Sequence, residues 1–203
     1  MSRAPATAGT LLAGRCTVAG GGAVGCQAGR VGLVERRGII TMLYFAYGSN
    51  MNWDQMRERC PSARFEFVAK AKGYRLAFTR FSEKRQCGVA DIVESPGSEV
   101  WGVVFVIPDN EFDELDKSEG YRQGRDRAKN AYDRRQFEVV RQGDSASPIT
   151  VWTYFVVNKL KSPPKPSAEY KTTLLNWARH WRLPAHYIDE LERIDCSATP
   201  ISE

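Results

Sequence analysis

Two places in the sequence combine residue types that suit acid/base chemistry on an anionic substrate. The first is the turn Tyr47-Gly48-Ser49-Asn50, which follows a short apolar run. Glycine lets the backbone approach a ligand closely, and amide groups at such a turn suit a carboxylate or a phosphate. By itself the motif is a weak signal, because such a four-residue turn is more often an ordinary structural turn.

The second place is Glu119, which ends a predicted helix that Asp109 begins and which directly precedes Gly120. The negative end of the helix dipole disfavours a carboxylate there, and the acids earlier in the helix add like charge. Both features favour the protonated carboxyl group, as suits a residue that takes and returns a proton near neutral pH. The alternative is a solvated acidic helix end without a chemical role.

Both strands and helices are predicted around these two places, and together they must position them. A buried strand is predicted at 43–47, and Asn52 is predicted to cap a helix that Pro61 ends. A hairpin is predicted around Ser95-Pro96-Gly97-Ser98. Two C-terminal helices are predicted to begin at Ser167 and Pro184. The remaining sequence predicts short strands at 63–70, 74–79, 88–94, 100–107, 137–141 and 150–157.

Four segments, in the right order, resemble motifs of the γ-glutamyl cyclotransferase family, including its AIG2-like members. They are LYFAYGSNM at 43–51, SPGSEVWGVV at 95–104, LDKSEG at 115–120 and PSAEY at 166–170. The resemblance covers about residues 42–195 and is specific because it rests on all four motifs together. It implies an α+β fold, a small mixed β-barrel with surrounding helices.

The resemblance also implies a reaction, the conversion of a γ-glutamyl amino acid or amine into 5-oxoproline and the free amine. By position, Glu119 would be the general acid/base. Tyr47, Gly48, Ser49 and Asn50 would bind the γ-glutamyl group, with Tyr170 as a wall residue and Tyr132 as a further candidate. The substrate's own α-amine attacks its γ-carbonyl, so the scheme requires no cofactor and no metal.

The resemblance leaves some alternatives open. A catalytically inactive relative that binds γ-glutamyl compounds or small anions would keep the turn. The identity of the released amine is open, although Asn50 stands where the glutathione-specific branch has leucine, which predicts poor activity on glutathione. We expect a small-molecule substrate and either a monomer or a homodimer.

The net charge of +5 suggests nucleic-acid binding only at first sight, because residues 1–41 account for +4 of it. A basic segment at 121–135 contains Arg122 and Arg125 and interleaved aromatics, as in single-strand binders, but acids dilute it. We therefore expect no nucleic-acid partner, and a milder role for the segment would be to attract an anionic substrate. No apolar run is long enough to predict a membrane helix.

Residues 1–41 are predicted to be disordered because they are rich in glycine and lack aromatic residues. They resemble either a transit peptide or a stretch upstream of the true start at Met42. The predicted domain spans 42–196, and 197–203 is a flexible tail. The cytoplasm is the predicted compartment, since the cysteines form neither a disulfide framework nor a zinc motif.

Overall fold

The computed structural model describes residues 33–36, 39–144 and 147–197. Six strands and four α-helices occur in this part of the chain, and short 3₁₀ turns join some of them. The strands are β1 Leu33–Arg36, β2 Ile39–Ala46, β3 Arg64–Ser82, β4 Cys87–Pro108, β5 Tyr132–Arg141 and β6 Pro148–Val156. The helices are α1 Trp53–Arg59, α2 Phe112–Ser118, α3 Ala168–His180 and α4 Ala185–Glu192.

Five of the strands close into a mixed barrel. The order β2-β4-β3-β5-β6 is antiparallel throughout, and β6 returns to pair with β2 in parallel at Tyr44 and Trp152. β4 and β2 approach so closely that a Cβ at Gly102 would lie 2.2 Å from the carbonyl oxygen of Ala46. The predicted α+β class and the small mixed barrel are confirmed.

The predicted hairpin at 95–98 is wrong. The segments on either side of it belong to one strand, β4, and both pair with β3, through Tyr74 with Glu94 and Lys72 with Glu99. Residues 95–98 therefore form a bulge opposite Gly73, which has a φ of +79°. The turn residues correctly mark a break in the hydrogen-bond pattern between the strands. Extra residues in one strand of a pair, however, bend that strand without reversing its direction. The strands predicted at 63–70 and 74–79 are likewise one strand.

The helices pack their apolar sides onto the barrel as the periodicity predicts. Tyr170 and Leu174 of α3 are buried, while Trp177 and Trp181 are half-buried. Trp181 stacks on Phe65 of β3 with ring centroids 4.7 Å apart. Its indole nitrogen also donates to the carbonyl of Met51 at 2.7 Å, so α3 is tied to the turn that follows β2.

The structure describes the residues around the predicted domain ends only in part. Strand β1 and the first residues of β2 lie within 1–41, the segment predicted to be disordered, and pair with each other. Residues 1–32 and most of the predicted tail at 197–203 lie outside the described residues. None of the helices in the described ranges has the length and apolar character needed to cross a membrane.

Candidate active site

One cavity of about 560 Å³ opens beside the barrel where the turn after β2 meets the end of α2. All seven residues that the sequence predicts for the site line this cavity: Tyr47, Gly48, Ser49, Asn50, Glu119, Tyr132 and Tyr170. They come from a turn, a helix end, a strand and a second helix. The fold therefore brings together residues that lie up to 123 positions apart in the sequence.

The turn at residues 47–50 forms one wall of the cavity. Gly48 lies so close to β4 that a Cβ there would be 3.0 Å from the Cβ of Ala90. The following amides of Ser49 and Asn50 have no hydrogen-bond acceptor among the described residues. Tyr47 is different, because its hydroxyl donates to the carbonyl of Tyr154 at 2.6 Å and is committed to the barrel.

Glu119 is the carboxylate at the centre of a small polar network. It caps α2 at its C-terminal end, and its side chain is 14% exposed. Its Oε1 accepts from Asn50 Nδ2 at 3.0 Å and from Arg59 Nη1 at 3.0 Å. Asn50 Nδ2 also donates to the hydroxyl of Tyr44 at 2.6 Å. The network fixes one carboxylate oxygen of Glu119 and joins it to the turn.

Arg59 changes the electrostatics that the sequence predicts for Glu119. The neighbours of Glu119 along the chain are acids, whereas the structure places a guanidinium against it from α1. Arg59 is half-buried and lies in the last turn of a helix that Asn52 caps, with Gln55 N donating to Asn52 Oδ1 at 3.0 Å. No local motif marks this residue, because its partner lies 60 positions away.

Besides Tyr47, four tyrosines line the cavity, and the sequence reasoning missed two of them, Tyr44 and Tyr154. Burial raises the pKa of all four phenols, so they remain neutral donors near pH 7. Tyr132 donates to the carbonyl of Ala90 at 3.2 Å, and the amide of the same Ala90 donates to Tyr170 at 3.2 Å. In the sequence, only the alternation of inward-facing and outward-facing residues along β2 and β6 could have indicated that Tyr44 and Tyr154 face inward.

Asp116 anchors the helix that carries Glu119. It is buried, accepts from the hydroxyl of Tyr154 at 2.6 Å and forms a salt bridge with Arg134 at 3.0 Å. Burial raises the pKa of Asp116, while the hydrogen bond from Tyr154 and the charge of Arg134 oppose that rise. These contacts hold the end of α2 against β5 and β6 and so fix the position of Glu119.

The basic segment at 121–135 mostly satisfies its charges within the protein. Arg125 donates to Asn130 Oδ1 and to the carbonyl of Gly120, both at 2.8 Å. Arg127 and Arg135 both pair with Asp133. The side chains of Arg122 and Arg125 line a neighbouring depression, and Tyr132 is the predicted site residue that the segment contributes to the Glu119 cavity.

Cations from a different segment line the cavity. These are Arg80 at the end of β3 and Lys84 and Arg85 in the turn that joins β3 to β4. Arg85 donates to Gln55 Oε1 at 3.1 Å and lies over the ring of Tyr170. The sequence reasoning missed all three, since nothing in a short strand end and turn indicates which cavity it borders.

The sequence of this chain is similar to those of known proteins of one family. Residues 44–178 match the family described as gamma-glutamyl cyclotransferase, AIG2-like. A gamma-glutamylcyclotransferase of Mus musculus is 36% identical over 160 residues, which cover 76% of this chain and 79% of the relative. The gamma-glutamylcyclotransferase of Homo sapiens is 33% identical over 159 residues, with the same coverage of both chains.

Similarity also extends to a solved structure. A gamma-glutamyl cyclotransferase superposes with a TM-score of 0.70 at 30% sequence identity, covering 80% of this chain and 92% of that one. The family match spans the end of β2, the turn, α2 and most of α3, which contribute residues to the cavity. The chain therefore belongs to the gamma-glutamyl cyclotransferase, AIG2-like family of enzymes.

Proposed function

We propose that Glu119 is the general acid/base of a γ-glutamyl cyclotransferase reaction in this cavity. The substrate is a γ-glutamyl amino acid or amine, and the products are 5-oxoproline and the free amine. One observation carries the proposal. Among the residues that the structure describes, Glu119 is the one carboxylate that both lines the cavity and is held there by side chains of other elements, Asn50 and Arg59.

The chemistry needs an acid/base but no enzyme nucleophile. The α-amine of the glutamyl group loses a proton as it attacks the γ-carbonyl, and a C–N bond closes the five-membered ring. The tetrahedral intermediate then breaks its bond to the leaving nitrogen, which gains a proton. A single carboxyl group can remove the first proton and deliver the second, a role that typically contributes about 10² to 10⁴ in rate.

The turn at 47–50 suits the binding of the glutamyl half. The amides of Ser49 and Asn50 lack acceptors within the described ranges, so they are available to a carbonyl or carboxylate oxygen of the substrate. Holding the glutamyl chain in its folded conformer makes ring closure intramolecular, and well-oriented reactions of this kind reach effective molarities of about 10⁵ M or more. Tyr170 and Tyr132 also line the cavity, and the hydroxyl of Tyr170 lies beside the turn, 3.7 Å from where a Cβ at Gly48 would be.

Arg59 and Asn50 position the catalytic carboxyl group. Both donate to Oε1 of Glu119, which leaves Oε2 without a partner in the described part of the chain. The free oxygen is the one that can exchange protons with the substrate nitrogens. The relatives that match most of this chain are named gamma-glutamylcyclotransferases, and this supports an active enzyme over an inactive binding protein.

Removing the titrating carboxyl group is the direct test. The full chain and its Glu119→Gln variant are incubated with γ-glutamyl-alanine, γ-glutamyl-ε-lysine and glutathione, and 5-oxoproline is measured by mass spectrometry. Glutamine keeps the volume and the hydrogen bonds to Asn50 but cannot take up the amine proton. We expect product from the parent, least from glutathione, and a loss in kcat of about 10² or more in the variant.

Glu114→Gln is the matched control, because Glu114 lies on the same helix and is exposed. It should retain the parental rate. Equal activity of the Glu119→Gln variant and the parent would show that another group transfers the proton. A folded parent without product from any of the three compounds would contradict the reaction itself.

A further inference from the structure

Three cations stand at the open side of the cavity, and we call the segment that carries them, residues 80–85, the hairpin end. Glu83, Lys84 and Arg85 of this segment are exposed, so the cavity is open to solvent on this side, which we call its mouth. Within the described residues, neither Arg80, Lys84 nor Arg85 forms a salt bridge with a carboxylate. The hairpin end therefore presents positive charge that the protein itself does not neutralise.

Arg80 is the most unusual of the three because it is half-buried. Its guanidinium carbon lies 5.8 Å from the ring centroid of Tyr132, a wall of the cavity. The other half-buried arginines beside this site, Arg59 and Arg134, both have carboxylate partners. A partly desolvated charge without a partner is unfavourable, and an anionic group in the cavity would satisfy Arg80.

In the described part of the chain, no carboxylate that lines the cavity is paired with Arg80. Two acidic side chains line the cavity, Glu119 and Glu83. Glu119 is already bound by Arg59 and Asn50, and Glu83 accepts from Gln86 Nε2 at 3.2 Å. A guanidinium fork matches the geometry of a carboxylate and forms strong charge-assisted hydrogen bonds with it. The chemistry of the missing partner is thus that of a carboxylate.

A γ-glutamyl substrate can supply this carboxylate from either of its halves. In the proposed reaction the glutamyl half places its amine and γ-carbonyl at Glu119 and its polar end at the free amides of the turn. The released half has to leave through the mouth. A carboxylate on the released half therefore meets Arg80 before and during reaction.

Resting on the proposed function, we infer that Arg80 is a specificity-determining residue that binds the carboxylate of the released amino acid. Substrates whose leaving amine carries an α-carboxylate are then bound through both halves, at the turn and at Arg80. Substrates whose leaving amine lacks that group lose the second anchor. The aromatic ring of Tyr132 holds the guanidinium beside the cavity without competing for its charge.

Two substrates that differ only in that carboxylate test the inference. With the full chain, kcat/KM is measured for γ-glutamyl-alanine and for γ-glutamyl-alaninamide. We expect the parent to prefer the carboxylate by about tenfold or more, as a charge-assisted hydrogen bond to a partly buried group predicts. The Arg80→Gln variant should narrow this preference to within about threefold, and Arg80→Lys should give an intermediate ratio since it keeps the charge but not the fork.

The readout is the ratio of the two kcat/KM values, because the two leaving amines differ in basicity in the same way for every variant. The control is Lys117→Gln. Lys117 also lines the cavity, but it is mostly exposed and pairs with Glu114. It should leave the ratio at the parental value.

A third compound distinguishes the two carboxylates. In it the α-carboxylate of the glutamyl half is replaced by an amide, while the released alanine keeps its own carboxylate. The ratio of kcat/KM for γ-glutamyl-alanine to kcat/KM for this compound should be the same in Arg80→Gln as in the parent. If the variant loses the preference for γ-glutamyl-alanine over this compound instead, Arg80 binds the glutamyl half and the inference is overturned.

The remaining outcomes separate this inference from the proposed function. No 5-oxoproline from either γ-glutamyl-alanine or γ-glutamyl-alaninamide would contradict the cyclotransferase reaction. Product from both substrates at equal kcat/KM in the parent would overturn the role of Arg80 alone. An equal loss on both substrates in Arg80→Gln, with the parental ratio preserved, would show that Arg80 only supports the wall at Tyr132.

Discussion

The two basic segments near the cavity, residues 121–135 and the hairpin end at 80–85, use their charges in opposite ways. In the first, Arg125, Arg127 and Arg135 are bound by acceptors of the same segment, and Arg134 pairs with the buried Asp116. In the second, no described cation has a carboxylate partner. The segment with more positive charge in the sequence is therefore the less available to a ligand.

The difference shows that the pairing of charges, not their number, marks a ligand-binding region. A paired arginine gives up little to a new anion, because its charge and its N–H groups are already satisfied. An unpaired, half-buried arginine gains both a countercharge and hydrogen-bond acceptors from an anionic ligand. The three changes below test this contrast, from the largest expected effect to the smallest.

Asp116→Ala tests the structural role of the 121–135 segment. The change leaves Arg134, with a side chain only 13% exposed, and the hydroxyl of Tyr154 without their partner. Removing one member of a buried ion pair typically lowers the free energy of unfolding by about 3 kcal/mol or more. Urea denaturation measures the loss, and activity should fall with it because α2 carries Glu119.

Two further variants sharpen that result. Asp113→Ala on the exposed side of α2 should change stability by less than about 0.5 kcal/mol. Asp116→Ala combined with Arg134→Met removes both charges, so the double variant should be more stable than Asp116→Ala alone. A double variant that is less stable than the single one would contradict a structural pairing.

Arg85→Gln tests the exposed part of the hairpin end. Arg85 reaches the cavity across the ring of Tyr170 and donates to Gln55. Because Arg85 is exposed, we expect its loss to raise KM for γ-glutamyl-alanine by only about threefold at low salt and to have less effect in 0.5 M salt as screening takes over. Steady-state kinetics at the two salt concentrations measure both effects.

Arg57→Gln is the comparison for this variant. Arg57 is an exposed cation that lies over Trp53 on α1 and does not line the cavity. It should leave KM unchanged at both salt concentrations. An equal effect from Arg57 would mean that general charge attraction, rather than the hairpin end, sets the dependence on salt.

Replacing Arg122 and Arg125 with alanine should have the smallest effect on catalysis. Both residues line the depression next to the cavity, and the guanidinium of Arg125 is bound by Asn130 and Gly120. We expect KM to change by less than about twofold, while the lost hydrogen bonds cost about 1 kcal/mol of stability. A larger rise in KM than in Arg85→Gln would reverse the contrast between the two segments.

The elements of the fold follow largely from local sequence. Asn52 and Ser167 cap α1 and α3 as predicted, through bonds to the amides of Gln55 and Tyr170 three positions on. The helix end at Glu119 is also set locally, with its amide bonded to the carbonyl of Leu115. The hairpin prediction at 95–98 was wrong because a turn motif indicates that strand pairing is interrupted. It does not indicate which strand pairs with the residues beyond the interruption.

The sequence by itself determined the family motifs, the caps and the placement of Glu119 and the 47–50 turn at the ends of elements, since these depend on bonds between near neighbours. Only the tertiary structure decided which groups surround Glu119. Its contacts with Arg59 and Asn50 span 60 and 69 positions. Closure of the barrel sets these distances, and closure also decides that Arg134 is paired while Arg80 is not, although both are half-buried arginines on strands.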